Sequence, residues 1–300
     1  MTLIDVEAML TTVPHVTVLV DRCVGCQECI VRCPTAALAL DVAPMVAVAD
    51  DALCVGCRQC ERTCPFSAIT VSGPVLVEAR TPLPARHPSS LVGSTAETRP
   101  GFETWAEALA EADRCVSCPD PTCVRGCPAH NDIPGFIAAL RDKDLDGAHA
   151  ALRRTSVLPD ICSRVCDHAI QCEGACTWSL AGAEPVRIGA LERFVCDNAP
   201  VPPAAPGRSD GGGLSVAIIG SGPAGLAAAW ELVEHGASVT VYDKDDAAGG
   251  LLRWGIPEFT LATAMAERPV DALRAAGVEF RLGVEVAPVR STRSSTSTTP

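Results

Sequence analysis

The 300-residue chain is poor in aromatic side chains, with six Phe, four Trp and one Tyr. Its apolar fraction of 48% is drawn mainly from Ala, Val and Leu, so small side chains must do most of the packing and bound groups can supply part of the core. Basic residues are also scarce, 24 Lys and Arg against 36 Asp and Glu, for a formal charge of -12. That balance excludes nucleic acid as a partner. It suits solubility, or a basic docking face on a partner protein. The N-terminal MTLIDVEAML has no cationic stretch leading into an apolar run, so no signal peptide is expected. No apolar run reaches the roughly 18 to 20 residues needed to cross a bilayer, so no membrane span is expected and the expected location is cytoplasmic.

Cysteine, by contrast, is abundant, at 17 residues. In a secreted chain this would mean disulfides, but the odd count, the CxxC spacings and the missing signal point to metal in a reducing compartment. All but one of these cysteines fall into tetrads. Cys23, Cys26, Cys29 and Cys33, followed by Pro34, have the spacing C-x2-C-x2-C-x3-C-P, and Cys54, Cys57, Cys60 and Cys64, followed by Pro65, repeat it. This is an internal duplication, and it is the run that binds two 4Fe-4S clusters in bacterial ferredoxins. The fourth cysteine of each run ligates the other cluster, which groups Cys23, Cys26 and Cys29 with Cys64, and Cys54, Cys57 and Cys60 with Cys33. Zinc is the competing reading, but it needs only two CxxC pairs per ion. A third cysteine two residues on and the Cys-Pro ending have no zinc rationale. Residues 15–78 thus resemble two-cluster ferredoxins.

The remaining tetrads are Cys115, Cys118, Cys123 and Cys127, followed by Pro128, and Cys162, Cys166, Cys172 and Cys176. Spacing alone predicts two further metal sites without dividing the ligands between them. Around them, FETWAEALAEADR and IPGFIAALRD carry the helical period, and Asn131 and Asp132 ahead of Pro134 form a helix-start signal.

Further on, LSVAIIG reads as a strand ending on glycine, LAAAWELVEHG as a helix and SVTVYD as a second strand. Gly220, Gly222 and Gly225 supply G-x-G-x-x-G at that strand-helix junction, and Asp243 ends the second strand. Strand, helix and acid together identify a dinucleotide site. The glycines let backbone approach a pyrophosphate at the helix N-terminus, with Ser221, Pro223 and Ala224 completing the loop, and Asp243, followed by Lys244, is placed to accept from ribose hydroxyls.

The run RCVSCPDPTCVRGCPAHNDIPGFI, with VCDHAIQCEGACT, VRIGALERF, VAIIGSGPAGLAAAW and GGLLRWGIPEF, resembles the glutamate synthase small subunit and the related dihydropyrimidine dehydrogenase over about residues 100–260. The resemblance implies a helical domain with two 4Fe-4S clusters in crossed ligation. Cys115, Cys118, Cys123 and Cys176 would hold one cluster, and Cys127, Cys166 and Cys172 the other. The dehydrogenase supplies a Gln as the remaining ligand, at the position of Glu192 here; Cys162 is the competing donor, and Cys196 is left without a role. Asp167 stands where the family usually has Pro. The resemblance further implies FAD in the dinucleotide site, with Gly249, Gly250, Leu251, Gly255, Ile256 and Pro257 matching the flavin-side signature. It also implies NAD(P)H as the hydride donor of the full-length family.

These readings give a multidomain α+β chain. Residues 1–80 form a two-cluster ferredoxin domain, 81–99 a linker, 100–199 a helical iron-sulfur domain and 200–213 a second linker. A partial Rossmann-type FAD-binding domain covers 214–290, and a Ser/Thr-rich tail, expected to be disordered, covers 291–300. The inserted NAD(P)H domain of the family has no counterpart after VEFRLGVEV, and Pro269 falls in an expected helix, where it costs about 3 kcal/mol. The sequence therefore reads as C-terminally truncated or frame-shifted. The function implied is an oxidoreductase carrying electrons from NAD(P)H through FAD and four 4Fe-4S clusters to an acceptor subunit, within a hetero-oligomer. The alternatives are a non-enzymatic polyferredoxin-type carrier and a zinc-stabilised interaction module. No catalytic acid or base stands out.

Overall fold

A computed structural model describes residues 13–76, 97–98, 101–200 and 213–286. The 291–300 tail and most of both linkers lie outside them. The chain divides into two compact units, Met1–Pro200 and Val201–Pro300. Each is described separately.

The first unit begins with two interlocked halves. Strand β1 (His15–Val18) leads into the first tetrad and the short helix α1 (Glu28–Val31). A hairpin of β2 (Leu38–Asp41) and β3 (Val46–Ala49) leads to the second tetrad, helix α2 (Gln59–Thr63) and β4 (Ile69–Ser72). β1 pairs antiparallel with β4, in register His15 to Ser72, and β2 with β3. Because the first strand pairs with the last, the chain closes on itself and Cys64 returns to the first tetrad. The duplication extends to backbone conformation. Gly25 and Gly56, Gln27 and Arg58, and Ala36 and Ser67 are left-handed at matched positions of the two halves. Neither glycine tolerates a side chain, since a Cβ would collide with the carbonyl of Met45 or of Pro74. Few apolar residues fill this core: Val16, Leu38, Ala47, Ile69 and Val71 pack with the cysteines themselves.

The helical part comprises α3 (Trp105–Ala112), α4 (Thr122–Gly126), α5 (Ile133–Arg141), α6 (Leu145–Arg153), α7 (Pro159–Val165), α8 (Thr177–Leu180) and α9 (Ile188–Asn198). Thr104 starts α3 in a reciprocal capping box with Glu107. Asp132 caps α5 by accepting from the Gly135 amide at 3.0 Å, with Pro134 in the first turn, so the Asn-Asp-x-Pro signal marks the helix start. Phe136, Ile137, Leu140, Leu152, Leu191, Phe194 and Val195 build the core. Val55, Cys57 and Val75 of the ferredoxin-like part pack against that same core, so the two parts form one unit. Glu97, within the stretch read as a linker, is instead buried: Arg164 at 2.8 Å and Arg193 at 2.6 Å hold its carboxylate.

The second unit has a parallel sheet in the order β5-β6-β7, from β5 (Ser215–Ile219), β6 (Ser238–Tyr242) and β7 (Glu279–Arg281). Between these strands run α10 (Pro223–Glu234), α11 (Leu251–Trp254) and α12 (Thr263–Ala275). Helix α12 runs through Pro269, whose ring is buried, so the proline forfeits one backbone bond without ending the helix. Among the described residues β5 pairs only with β6, and Ile219 is 70% exposed. No helix among the described residues is long and apolar enough to cross a membrane.

Candidate metal centres and dinucleotide site

The interlocked halves bring the cysteines together in the crossed pattern. Cys23, Cys26, Cys29 and Cys64 line one cavity with Val24, Gly25 and Phe66. Cys33 lies within electrostatic range of Cys54, Cys57 and Cys60. Burial, reinforced by the neighbouring thiols, pushes Cys29 up to about 11 and Cys60 up to about 12. Such groups ionise only when a cation replaces the lost hydration. Backbone amides point at the sulfurs in matched fashion: Ala37 N–H donates to Cys33 Sγ at 3.2 Å and Ala68 N–H to Cys64 Sγ at 3.3 Å. The amides of Ala47 and Gly56 reach Cys23 and Cys54 at 3.4 Å. N–H donors to sulfur stabilise its negative charge and raise cluster potentials.

In the helical part, Cys115, Cys118, Cys123 and Cys176 line a second cavity, roofed by Ile133, Ile137 and Trp178. Burial and the thiols of Cys176, Cys115 and Cys118 push Cys123 up to about 12. A third cavity gathers Cys127, Cys162, Cys166, Cys172 and Glu192. Glu192 is 6% exposed, and its Oε1 has no hydrogen-bond partner among the described residues, while Oε2 lies 3.6 Å from His168 Nε2. Burial raises its carboxyl, with His168 opposing. An unsatisfied buried acceptor costs about 1–3 kcal/mol, which a bound cation would recover. Cys162 shares the cavity, but its sulfur is engaged by the Cys166 thiol and lies 3.7 Å from Ser156 Oγ.

The spread of the sulfurs discriminates between metals. A single zinc at about 2.3 Å from each thiolate draws its ligands to within about 4 Å of one another. Among the described residues, only His149, Asp160 and Cys196 form a group of three or more His, Cys, Asp or Glu ligand atoms lying mutually within 4.8 Å. All three are buried, on α6, α7 and α9. No tetrad is that tight. The donor sets therefore lack the close spacing of mononuclear zinc, and their cysteine-rich chemistry is that of iron-sulfur ligation. The His149, Asp160 and Cys196 group has no spacing signature in the sequence, because its members come from three different helices.

In the second unit, Gly220, Gly222, Asp243, Lys244, Gly250 and Leu251 line a cavity with Tyr242 and Trp254. Gly222 caps α10 without a side-chain hydrogen bond, leaving the first-turn amides open to an anion. A Cβ on Gly225 would collide with the Gly220 carbonyl, and one on Gly250 would come within 2.7 Å of Gly222 Cα. The two glycine turns thus abut. Asp243 Oδ2 accepts from the Ser221 amide at 2.6 Å and its hydroxyl at 2.5 Å, and Oδ1 from the Asp245 amide at 3.0 Å. Burial opposes ionisation, but these bonds prevail and hold the carboxyl below its ordinary value. Asp243 therefore braces the loop as well as facing the cavity. Pro223, Ala224 and Gly225 open α10 behind the loop and Ser221 is fully buried. Gly255, Ile256 and Pro257 do not line the cavity.

Three family profiles match the chain: a 4Fe-4S dicluster domain over residues 22–68, dihydropyrimidine dehydrogenase domain II with its 4Fe-4S cluster over 93–201, and an NAD(P)-binding Rossmann-like domain over 218–255. The glutamate synthase [NADPH] small chain of Halomonas elongata is 41% identical over 182 residues, 60% of this chain and 38% of that one. The Escherichia coli enzyme's small chain is 40% identical over 190 residues, 62% and 40% of the two chains. The NAD-dependent dihydropyrimidine dehydrogenase subunit PreT of Escherichia coli is 37% identical, covering 63% and 46%. The chain spans about two fifths of the length of the glutamate synthase chains it matches. Over three fifths of its length, through the iron-sulfur and Rossmann-like segments, the chain is similar to the small chains of glutamate synthase.

Proposed function

We propose that this chain is the iron-sulfur and flavin-binding portion of an electron-transfer oxidoreductase, passing electrons between NAD(P)H and a partner subunit or protein. The supporting observation is the arrangement of the donors: four sets, reached by crossing of the chain and too widely spaced for zinc. Cys23, Cys26, Cys29 and Cys64 would form the first set; Cys33, Cys54, Cys57 and Cys60 the second; Cys115, Cys118, Cys123 and Cys176 the third. Cys127, Cys166, Cys172 and Glu192 would form the fourth. Each would hold a 4Fe-4S cluster.

The Gly220 to Gly225 loop and the open α10 terminus would bind the pyrophosphate of FAD, with Asp243 and Lys244 at its ribose side. A flavin there would take a hydride from NAD(P)H and release it as single electrons. Gly250 would keep the second turn close enough to the first for both to contact the dinucleotide.

The test is anaerobic reduction of purified chain supplied with FAD. Bleaching of the cluster absorbance by NADPH or NADH is the expected result. Bleaching by dithionite alone, with no bound flavin, would replace this reading with that of a non-enzymatic polyferredoxin-type carrier.

A further inference from the structure

The first unit contains a buried polar connection between its two cysteine-rich parts. Gln59, on α2, is 1% exposed, and Thr177, at the start of α8, is 3% exposed. Thr177 Oγ1 lies 3.3 Å from Gln59 Oε1 and 3.4 Å from Cys118 Sγ. On the other side, Arg62 donates to Gln59 Oε1 at 2.9 Å and to the Cys57 carbonyl at 3.0 Å. Gln59 Nε2 donates to the Asp120 carbonyl at 3.3 Å, and the Asp120 carboxylate is paired with Arg32 and Arg125. A continuous path therefore runs from the backbone of Cys57, in the second donor set, to the sulfur of Cys118, in the third.

Arg62 is the cation of this path. The residue is exposed, but both of its hydrogen bonds tie the guanidinium inward, where Cys57, Cys60 and Cys118 feel its charge. Guanidinium stays charged at any working pH. A fixed positive charge beside two clusters favours the reduced, more negative form of each. Gln59 Oε1 accepts from both Arg62 and Thr177 while its Nε2 donates to the Asp120 carbonyl, so this one buried amide joins the two cysteine-rich parts.

Resting on the cluster reading above, we propose that Arg62, Gln59 and Thr177 form the junction through which single electrons pass between the second and third donor sets, and that Arg62 raises the potentials of both flanking clusters. The transfer is a one-electron exchange, one cluster oxidised as the other is reduced, with no proton or third reactant. It makes one wire of two separately recognisable modules, ordered first, second, third and fourth set. Arg62 is a positioning residue in this scheme and touches no substrate.

The experiment is an EPR-monitored potentiometric titration of the full chain, purified anaerobically, with iron and sulfide measured on every variant. Arg62→Met should lower the potentials of the second and third clusters and leave the first and fourth in place, and Arg62→Lys should restore most of the shift. With iron content intact, four unchanged potentials, or four that move together, would overturn the junction while leaving the cluster reading standing. Absence of sulfide from the unsubstituted chain would overturn both. If Arg62→Met loses iron, Thr177→Val takes over the test: removing its hydroxyl should lower the third potential alone, and an unchanged value would reject the proposal.

Discussion

At the residue scale, Glu192 is the most informative side chain, because it stands where the related dehydrogenase has a Gln ligand and a buried acid is costly. It is buried, one of its oxygens has no partner among the described residues, and it faces the same cavity as Cys127, Cys166 and Cys172. Cys162 is in the cavity as well, and the sequence alone could not rank the two. We propose Glu192, because its buried Oε1 has no hydrogen-bond partner among the described residues, whereas Cys162 Sγ lies 3.7 Å from Ser156 Oγ. Glu192→Ala should therefore lose about one quarter of the bound iron, one cluster of four. Glu192→Gln should retain it through the amide oxygen, and Cys162→Ser should retain all of it. Iron analysis checks this, and loss of iron from Cys162→Ser with none from Glu192→Ala would exchange their roles.

At the scale of elements, each half of the ferredoxin-like part is too short in apolar residues to fold without its cysteines, and β1 must find β4 to close the crossed arrangement. This was legible in the sequence because the repeat fixes both the spacing and the fourth ligand. The capping of α5 by Asp132 was legible for the same kind of reason, a local signal with a local consequence. The Gln59 to Thr177 contact was not, since nothing near either residue announces a partner so distant in sequence. The burial of Glu97 was hidden likewise, its two arginines lying on α7 and α9. In the second unit the strand-loop-helix turn depends on Gly225. Gly225→Ala forces a Cβ into the Gly220 carbonyl and should cost about 1–3 kcal/mol, the usual range for overpacking. Urea unfolding of the chain followed through the tryptophans of that unit, Trp230 and Trp254, measures it; an unchanged midpoint would mean that the turn relaxes freely.

At the scale of the whole molecule, the scarcity of aromatic residues is explained by what occupies the core. In the ferredoxin-like part, thiols, and the inorganic material they would hold, take the place of large side chains. The division of labour was readable from motifs, because metal ligation and pyrophosphate binding both demand particular residues at particular spacings. The fusion of two cysteine-rich parts into one compact unit was not, because it depends on Val55, Cys57 and Val75 meeting a distant helical core. The most direct measurement is the iron, zinc and acid-labile sulfide content of protein prepared without oxygen. The expected result is about 16 iron and 16 sulfide per chain, with no zinc, four cubanes in all. Zinc without sulfide would contradict it.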